Sequence, residues 1–159
     1  MRHLLLVGEY ELTIDDKNRL LIPAEVRRSI IPERDGEALY LIVGVNRKLW
    51  LYPELYYEQL ASSSRPQLVP NEDVLAFEQL TFSNASRLEW DKQGRVLIPD
   101  KLLKRTGLDR EITMFGAGNH MELWNRPDWE QYREALFQRS SEIAFKAQQA
   151  RREESERKD

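Results

Sequence analysis

The sequence has no cysteine, which excludes disulfide bonds and metal sites built from thiolates. It has only two histidines, His3 and His120, and neither stands at a diagnostic distance from a nucleophile or carboxylate. The Gly116–Gly118 segment reads G-A-G, but no βαβ pattern surrounds it, so it does not indicate a nucleotide site. These absences predict a protein that is not an enzyme and that uses no cofactor or small-molecule substrate. His120 is expected to be a satisfied or exposed histidine.

Long hydrophobic runs are also absent. The apolar run near the N-terminus, Leu4–Val7, is shorter than the core of a secretory signal. No stretch approaches the roughly 18 apolar residues that a membrane span requires. The sequence therefore predicts a cytoplasmic protein with no membrane partner.

An excess of positive charge is missing too, because the net charge is −3 and the pI is near 5.6. This balance argues against a uniformly basic nucleic-acid binder, although a local basic patch is compatible with it. The 159 residues, 41% of them hydrophobic, are enough for one ordinary domain or for two small ones.

What the sequence does have is an internal repeat. DDKNR at 15–19 corresponds to DKQGR at 91–95, with an offset of 76 residues, and both are followed by an apolar-Ile-Pro triplet. The similarity resumes between 41–53 and 113–127, which both contain Leu-Trp and then Pro. Such self-similarity indicates two copies of one structural unit.

Each copy reads as strand, tight turn, strand, short helix and a closing strand pair. We predict the first copy over 8–54, a helical connector over 55–84, the second copy over 85–128, and a C-terminal helix with a charged tail over 129–159. Composition predicts a loop over 62–71, with Asn71 capping the helix that follows. Beyond Lys146 the charged tail is expected to fray.

Four residues are expected to shape the two turns. The leading aspartates, Asp15 and Asp91, can accept hydrogen bonds from backbone N–H groups two and three residues further on. The fourth residues, Asn18 and Gly94, belong to the two types that adopt positive φ at the least cost.

The arginines that end the turns, Arg19 and Arg95, have no evident core role. Each can pair with its aspartate or reach outward, and Lys17 and Lys92 lie at or beside the turn tips. Lys and Arg outnumber acids four to one over 17–28 and five to one over 92–105. Phosphate backbones favour such local charge, and an arginine on a rigid turn can bind a guanine edge. Strand alternation scatters the acids at 9, 11, 15 and 16 over both faces, so no metal site is predicted.

Together, GEYELTIDDKNRLLIPAEVR and LEWDKQGRVLIPDKLLKRTGL resemble the MraZ family of bacterial transcriptional regulators, which have two tandem SpoVT/AbrB-like domains. The resemblance covers roughly residues 8–132 and rests on an Asp-x-x-x-Arg motif in each half. Asn18 stands where the family usually has glycine.

The resemblance implies an α+β, mainly β fold: a swapped-hairpin AbrB-like double-split β-barrel with an internal pseudo-twofold and flanking short helices. It also implies a ring-shaped homo-oligomer that binds short direct repeats of double-stranded DNA in its own promoter, upstream of division and cell-wall genes, and hence a nucleoid-associated protein. The implied DNA-binding residues are Arg19, Arg95, Lys17 and Lys92.

Two alternatives remain open from the residues. One is an antitoxin-like AbrB regulator, although such chains generally carry a single copy. The other is a ring or adaptor protein that does not bind DNA and uses its aromatic residues, such as Trp50, Trp124 and Trp129, at interfaces.

Overall fold

The structure is a computed structural model, and it describes residues 3–63 and 67–159. The elements up to the first copy's end are β1 Glu9–Thr13, β2 Arg19–Leu21, α1 Ala24–Ser29, α2 Pro32–Asp35, β3 Leu39–Val43 and β4 Leu49–Pro53. The connector holds α3 Glu54–Ala61 and α4 Glu72–Ser83. The remaining elements are β5 Ser86–Leu88, β6 Arg95–Leu97, α5 Asp100–Thr106, β7 Glu111–Gly116, β8 Met121–Asn125, α6 Arg126–Gln138 and α7 Ser140–Lys158.

The strands form two antiparallel sheets. One has six strands in the order β1-β7-β8-β4-β3-β5, and the other is a ribbon of β2 and β6. The first copy's β1 pairs with the second copy's β7, and the second copy's β5 pairs with the first copy's β3. The two copies are thus interleaved, and the strand order reads equivalently from either edge of the large sheet.

The predicted class, α+β with sheet predominating, is confirmed. Within residues 3–63 and 67–159, however, hydrogen bonding does not close the strands into a barrel. The two sheets instead enclose a shared hydrophobic core, to which both copies contribute. The best-buried members are Ile14, Leu20, Ile22, Leu41, Leu49, Leu51, Ile98, Leu102, Ile112, Met114, Met121 and Leu123.

Local signals set most element ends as predicted. Pro23 and Pro99 precede α1 and α5, and Gly107 ends α5 in the left-handed conformation with φ +67°. Asn71 caps α4, since its side chain accepts from the backbone N–H groups of Asp73 at 2.8 Å and Val74 at 3.4 Å. The predicted loop over 62–71 includes residues 64–66, which lie outside the described part of the chain.

Helix α4 differs from an ordinary amphipathic helix, because its apolar side chains are not buried. Phe77 is 57% exposed and Leu80 is 68% exposed. They line an open cleft of about 1090 Å³ together with Val43, Trp50, Tyr52 and Leu60. An apolar surface of this kind marks an interaction site more often than it marks free surface.

Residues 126–159 form a separate compact unit containing α6 and α7. Helix α7 continues to Lys158, so the prediction that the tail frays beyond Lys146 is wrong. Lys146 pairs with Glu142 one turn earlier, at 2.7 Å, which supports the helix locally. In the described part of the chain, no helix is long and apolar enough to cross a membrane.

Candidate nucleic-acid interface

The two Asp-x-x-x-Arg turns have nearly identical internal hydrogen bonds. Asp15 Oδ1 accepts from the backbone N–H of Lys17 at 2.9 Å and of Arg19 at 2.8 Å. Asp91 Oδ1 accepts from the equivalent N–H groups of Gln93 at 2.9 Å and Arg95 at 3.0 Å. Each aspartate therefore accepts from the N–H groups two and four residues further on, rather than two and three residues further on as expected.

The fourth residue of each turn adopts the predicted positive φ, with 62° at Asn18 and 85° at Gly94. Its carbonyl oxygen then bonds to the other copy: Asn18 O accepts from Ile98 N at 2.8 Å, and Gly94 O accepts from Ile22 N at 2.9 Å. Each turn is consequently fixed by the strand of its counterpart.

Each arginine both pairs with its aspartate and faces solvent. Arg19 Nε donates to Asp15 Oδ2 at 2.7 Å, and Arg95 Nε donates to Asp91 Oδ2 at 2.9 Å. The two side chains remain 32% and 31% exposed. The terminal guanidinium nitrogens of both arginines have no hydrogen-bond partner within residues 3–63 and 67–159, so they can donate to a ligand.

The same bonds keep both aspartates ionised. The backbone N–H of Arg19, with further help from its guanidinium and from the N–H of Lys17, lowers the pKa of Asp15. The backbone N–H of Arg95 and its guanidinium lower the pKa of Asp91 in the same way. The ionised form that accepts these hydrogen bonds is therefore favoured in both turns.

Pairing of β2 with β6 brings the two arginines onto one surface. Arg19 lies opposite Leu97, Leu20 opposite Val96, and Leu21 opposite Arg95. Since alternate residues share a face, Leu20 and Val96 point into the core, where they are 0% and 1% exposed. The outer face, which we call the Arg–Leu face, consists of Arg19, Leu21, Arg95 and Leu97.

The lysines predicted to contact DNA are on the turn tips. Lys17 and Lys92 are both exposed, and neither forms an ion pair with any residue the structure describes. Other members of the predicted basic clusters are engaged within the fold. Lys104 pairs with Asp100 at 2.8 Å, and Arg105 donates to Asn84 at 2.7 Å. Arg28 and Lys101 are exposed without an ion pair to any described residue, so positive charge is also available beside the turns.

Two further arginines make contacts with the turns that the sequence did not predict, although Arg27 is one of the basic residues counted over 17–28. Arg110, just before β7, donates to the backbone carbonyl of Asp15 and, at 3.3 Å, to Asn18 Oδ1. Arg27 of α1 donates to the carbonyl of Ile22 at 3.0 Å, and its guanidinium covers Gly94. The contacts of Arg110 with the first turn and of Arg27 with Gly94 join the two copies, so they give no local signal in the sequence.

His120 lies outside this interface and is a buried, satisfied histidine. Its ring stacks on Trp50 at 3.9 Å, and Nε2 lies 3.0 Å from Glu122 Oε2. Glu122 also accepts from Trp124 Nε1 and from Asn46 Nδ2, both at 2.9 Å. Among the described residues no group of three or more potential ligands could hold a metal ion. The cluster joins the two copies, since Asn46 and Trp50 belong to the first copy and the other members to the second.

Comparison with known families shows which family the chain resembles. The family model described as "MraZ protein, putative antitoxin-like" matches residues 5–73 and 81–153, most of the chain. The chain belongs to the MraZ family. The family predicted from the paired Asp-x-x-x-Arg motifs is therefore confirmed.

Named relatives agree with this membership. The chain is 34% identical over 142 residues to the transcriptional regulator MraZ of Heliobacterium modesticaldum, covering 89% of this chain and 96% of that protein. It is 38% identical over 144 residues to the MraZ regulator of Neisseria gonorrhoeae strain NCCP11945, covering 89% and 95%. It is 39% identical over 140 residues to that of Neisseria meningitidis strain Z2491, covering 87% and 92%.

Proposed function

We propose that this protein is a sequence-specific DNA-binding transcriptional regulator and not an enzyme; its relatives are named transcriptional regulators. The observation that carries the proposal is the Arg–Leu face, where two arginine side chains, 32% and 31% exposed, share one ribbon. A two-stranded ribbon fits the major groove of B-DNA, and arginine forms paired hydrogen bonds to guanine there. Lys17 and Lys92, at the flanking tips, are placed to neutralise phosphates.

The aspartates are positioning groups in this proposal. Each holds the Nε of its arginine, which fixes the orientation of the guanidinium plane while leaving the terminal nitrogens for DNA. A side chain fixed in advance loses less conformational freedom on binding. Asn18 and Gly94 serve the same purpose by keeping the turn in its conformation.

The proposed self-association uses the α4 face, which we define as Val74, Phe77, Leu80 and the cleft beside them. These side chains are 49%, 57% and 68% exposed, an arrangement that favours burial against another subunit. A ring of subunits would present several Arg–Leu faces to successive direct repeats. Linked contacts raise the effective concentration at each later repeat, so a protein of net charge −3 can bind DNA tightly.

We further propose that strand exchange between the copies corresponds to the AbrB-like swapped-hairpin arrangement, with repeat domains at 8–54 and 85–128. The bound DNA would be direct repeats in the protein's own promoter, upstream of division and cell-wall genes. Such a role would place the protein at the nucleoid.

DNA binding is tested by fluorescence anisotropy with duplex DNA from immediately upstream of the chain's own coding sequence. The variant Arg19→Ala/Arg95→Ala is expected to bind at least about tenfold more weakly, with a shallower salt dependence. Arg151→Ala/Arg152→Ala, which removes the same charge from exposed positions on α7, is the matched control. Equal losses in both variants would indicate a general charge effect and would contradict the assigned site.

Self-association is tested by light scattering after size-exclusion chromatography. Leu80→Glu is expected to reduce the oligomer mass, while Phe145→Glu on α7, at the same 68% exposure, is expected to leave it unchanged. If Leu80→Glu keeps the wild-type mass, the α4 face is not the subunit contact. If the oligomer forms but no DNA binds, the non-DNA-binding ring or adaptor becomes the better account.

A further inference from the structure

Leu21 and Leu97 are exposed at equivalent positions of the two copies. They are 49% and 60% exposed, whereas the neighbouring core residues Leu20 and Val96 are nearly inaccessible. Polar residues are the usual choice at strand positions that face solvent, so folding alone does not explain a leucine at both sites. A single exposed leucine needs no explanation, but a symmetric pair between the two arginines does.

Each leucine lies directly across the ribbon from an arginine. Leu97 pairs with Arg19, and Leu21 pairs with Arg95. Directly opposed side chains in an antiparallel pair have Cβ atoms about 5 Å apart. The ribbon therefore presents two adjacent Arg–Leu pairs, one cationic and one apolar group in each, related by the exchange of the two copies.

We infer that Leu21 and Leu97 contact the 5-methyl groups of thymines in the major groove. This inference rests on the proposed function, because it concerns how the same face reads DNA. The thymine methyl is the apolar group that base pairs present in the major groove, and the minor groove presents none. When the neighbouring arginine binds a base edge, the leucine beside it is also brought to the base edges. A thymine methyl group can then cover the exposed surface of that leucine.

The inference commits to DNA as the occupant of this apolar surface, in preference to another subunit. Two cationic groups with free terminal nitrogens flank the leucines, and an anionic polymer complements that charge. The apolar α4 face, in contrast, has aromatic and aliphatic neighbours instead of paired guanidinium groups. The two surfaces thus differ in the chemistry of the partner that they fit.

The test compares two duplexes from immediately upstream of the coding sequence, one with thymine and one with deoxyuridine throughout. Uracil keeps the hydrogen-bonding groups of thymine and removes only the methyl. The full-length wild type is expected to bind the uracil duplex more weakly, by about fourfold for each thymine methyl that a leucine covers. Leu21→Ser/Leu97→Ser is expected to bind both duplexes equally, at the lower affinity, with the salt dependence of the wild type.

Leu5→Ser/Leu55→Ser changes two other exposed leucines and is expected to keep the wild-type preference for thymine. Equal wild-type binding to both duplexes would overturn the inference and leave the proposed function standing. A serine variant that still prefers thymine as strongly as the wild type would also overturn it, since the preference would then not come from Leu21 and Leu97. If the wild type binds neither duplex, the proposed function fails as well. Thermal melting of each variant establishes that it is folded.

Discussion

Leu20 and Val96 lie directly opposite each other in the β2·β6 ribbon, although 76 residues separate them in the chain. The same separation relates the two copies, so these are equivalent positions that meet at the internal symmetry element. Both are fully buried, which anchors the ribbon to the core. The pairs before and after it in the ribbon are Arg19 with Leu97 and Leu21 with Arg95, which face outward.

The conformation of the second turn is expected to depend on glycine. Gly94→Ala places a Cβ at φ +85° and 2.5 Å from Arg27 Cζ, so the arginine must move. The left-handed conformation alone costs about 1–2 kcal/mol for a non-glycine residue. Gly107→Ala is the control, since it has φ +67° with nothing within 4 Å. Chemical denaturation is expected to show a similar stability loss for both variants, and only Gly94→Ala is expected to weaken DNA binding.

A second prediction separates positioning of a turn from general stability. Arg110 contacts the first turn from an exposed site, so Arg110→Ala is expected to weaken DNA binding about two- to tenfold with little change in melting temperature. Arg34 lies in α2 of the first copy, where it pairs at 2.6 Å with Asp35, whose side chain is 4% exposed.

Arg34→Ala leaves that buried carboxylate without its cation and is therefore expected to destabilise the fold by about 3 kcal/mol. Anisotropy and thermal melting are measured on both variants. The interpretation is wrong if Arg110→Ala melts as early as Arg34→Ala, or if it binds DNA as tightly as the wild type.

A third prediction concerns acid stability at the cluster that joins the copies. Burial raises the pKa of Glu122, but hydrogen bonds from His120, Trp124 and Asn46 outweigh it, so its pKa is lowered overall. A lowered pKa contributes stability that is present above the pKa of the unfolded chain, about 4.3, and is lost as the pH falls through the folded value.

Glu122→Gln is expected to lower the free energy of unfolding by about 1–3 kcal/mol at pH 7, because charged hydrogen bonds are removed. The difference between wild type and variant should shrink as the pH is lowered below about 4. Urea denaturation at a series of pH values measures this. A difference that stays constant with pH would show that the ionised carboxylate is not the stabilising form.

Much of the site could be predicted from the sequence because it is built from local signals. The spacing of Asp15 and Arg19 indicates the turn, the positive φ at Asn18 follows from its residue type, and the repeat indicates that Arg95 has the same setting. These features depend on contacts within five residues of chain. Local hydrogen bonding therefore carries the information directly.

The remainder depends on contacts between distant segments. Pairing of β1 with β7 across copies leaves each strand's own alternation unchanged, so the pattern cannot show which partner it takes. The contact of Arg110 with the first turn follows only from that exchange. Likewise, the spacing of Val74 and Phe77 predicts an apolar helix face. The spacing does not show whether that face is covered by the same chain or by another chain.

The last prediction links the cap of α4 to assembly and rests on the proposed α4 face. Asn71→Ala removes the acceptor for two backbone N–H groups and is expected to destabilise the first turn of α4 by about 1 kcal/mol. Because Val74 and Phe77 follow directly, the oligomer should dissociate at a higher protein concentration than the wild type. Asn71→Asp retains an acceptor at the positive end of the helix and should assemble like the wild type. Sedimentation velocity over a concentration series measures both; equal dissociation of Asn71→Ala and wild type would show that assembly does not depend on this end of α4.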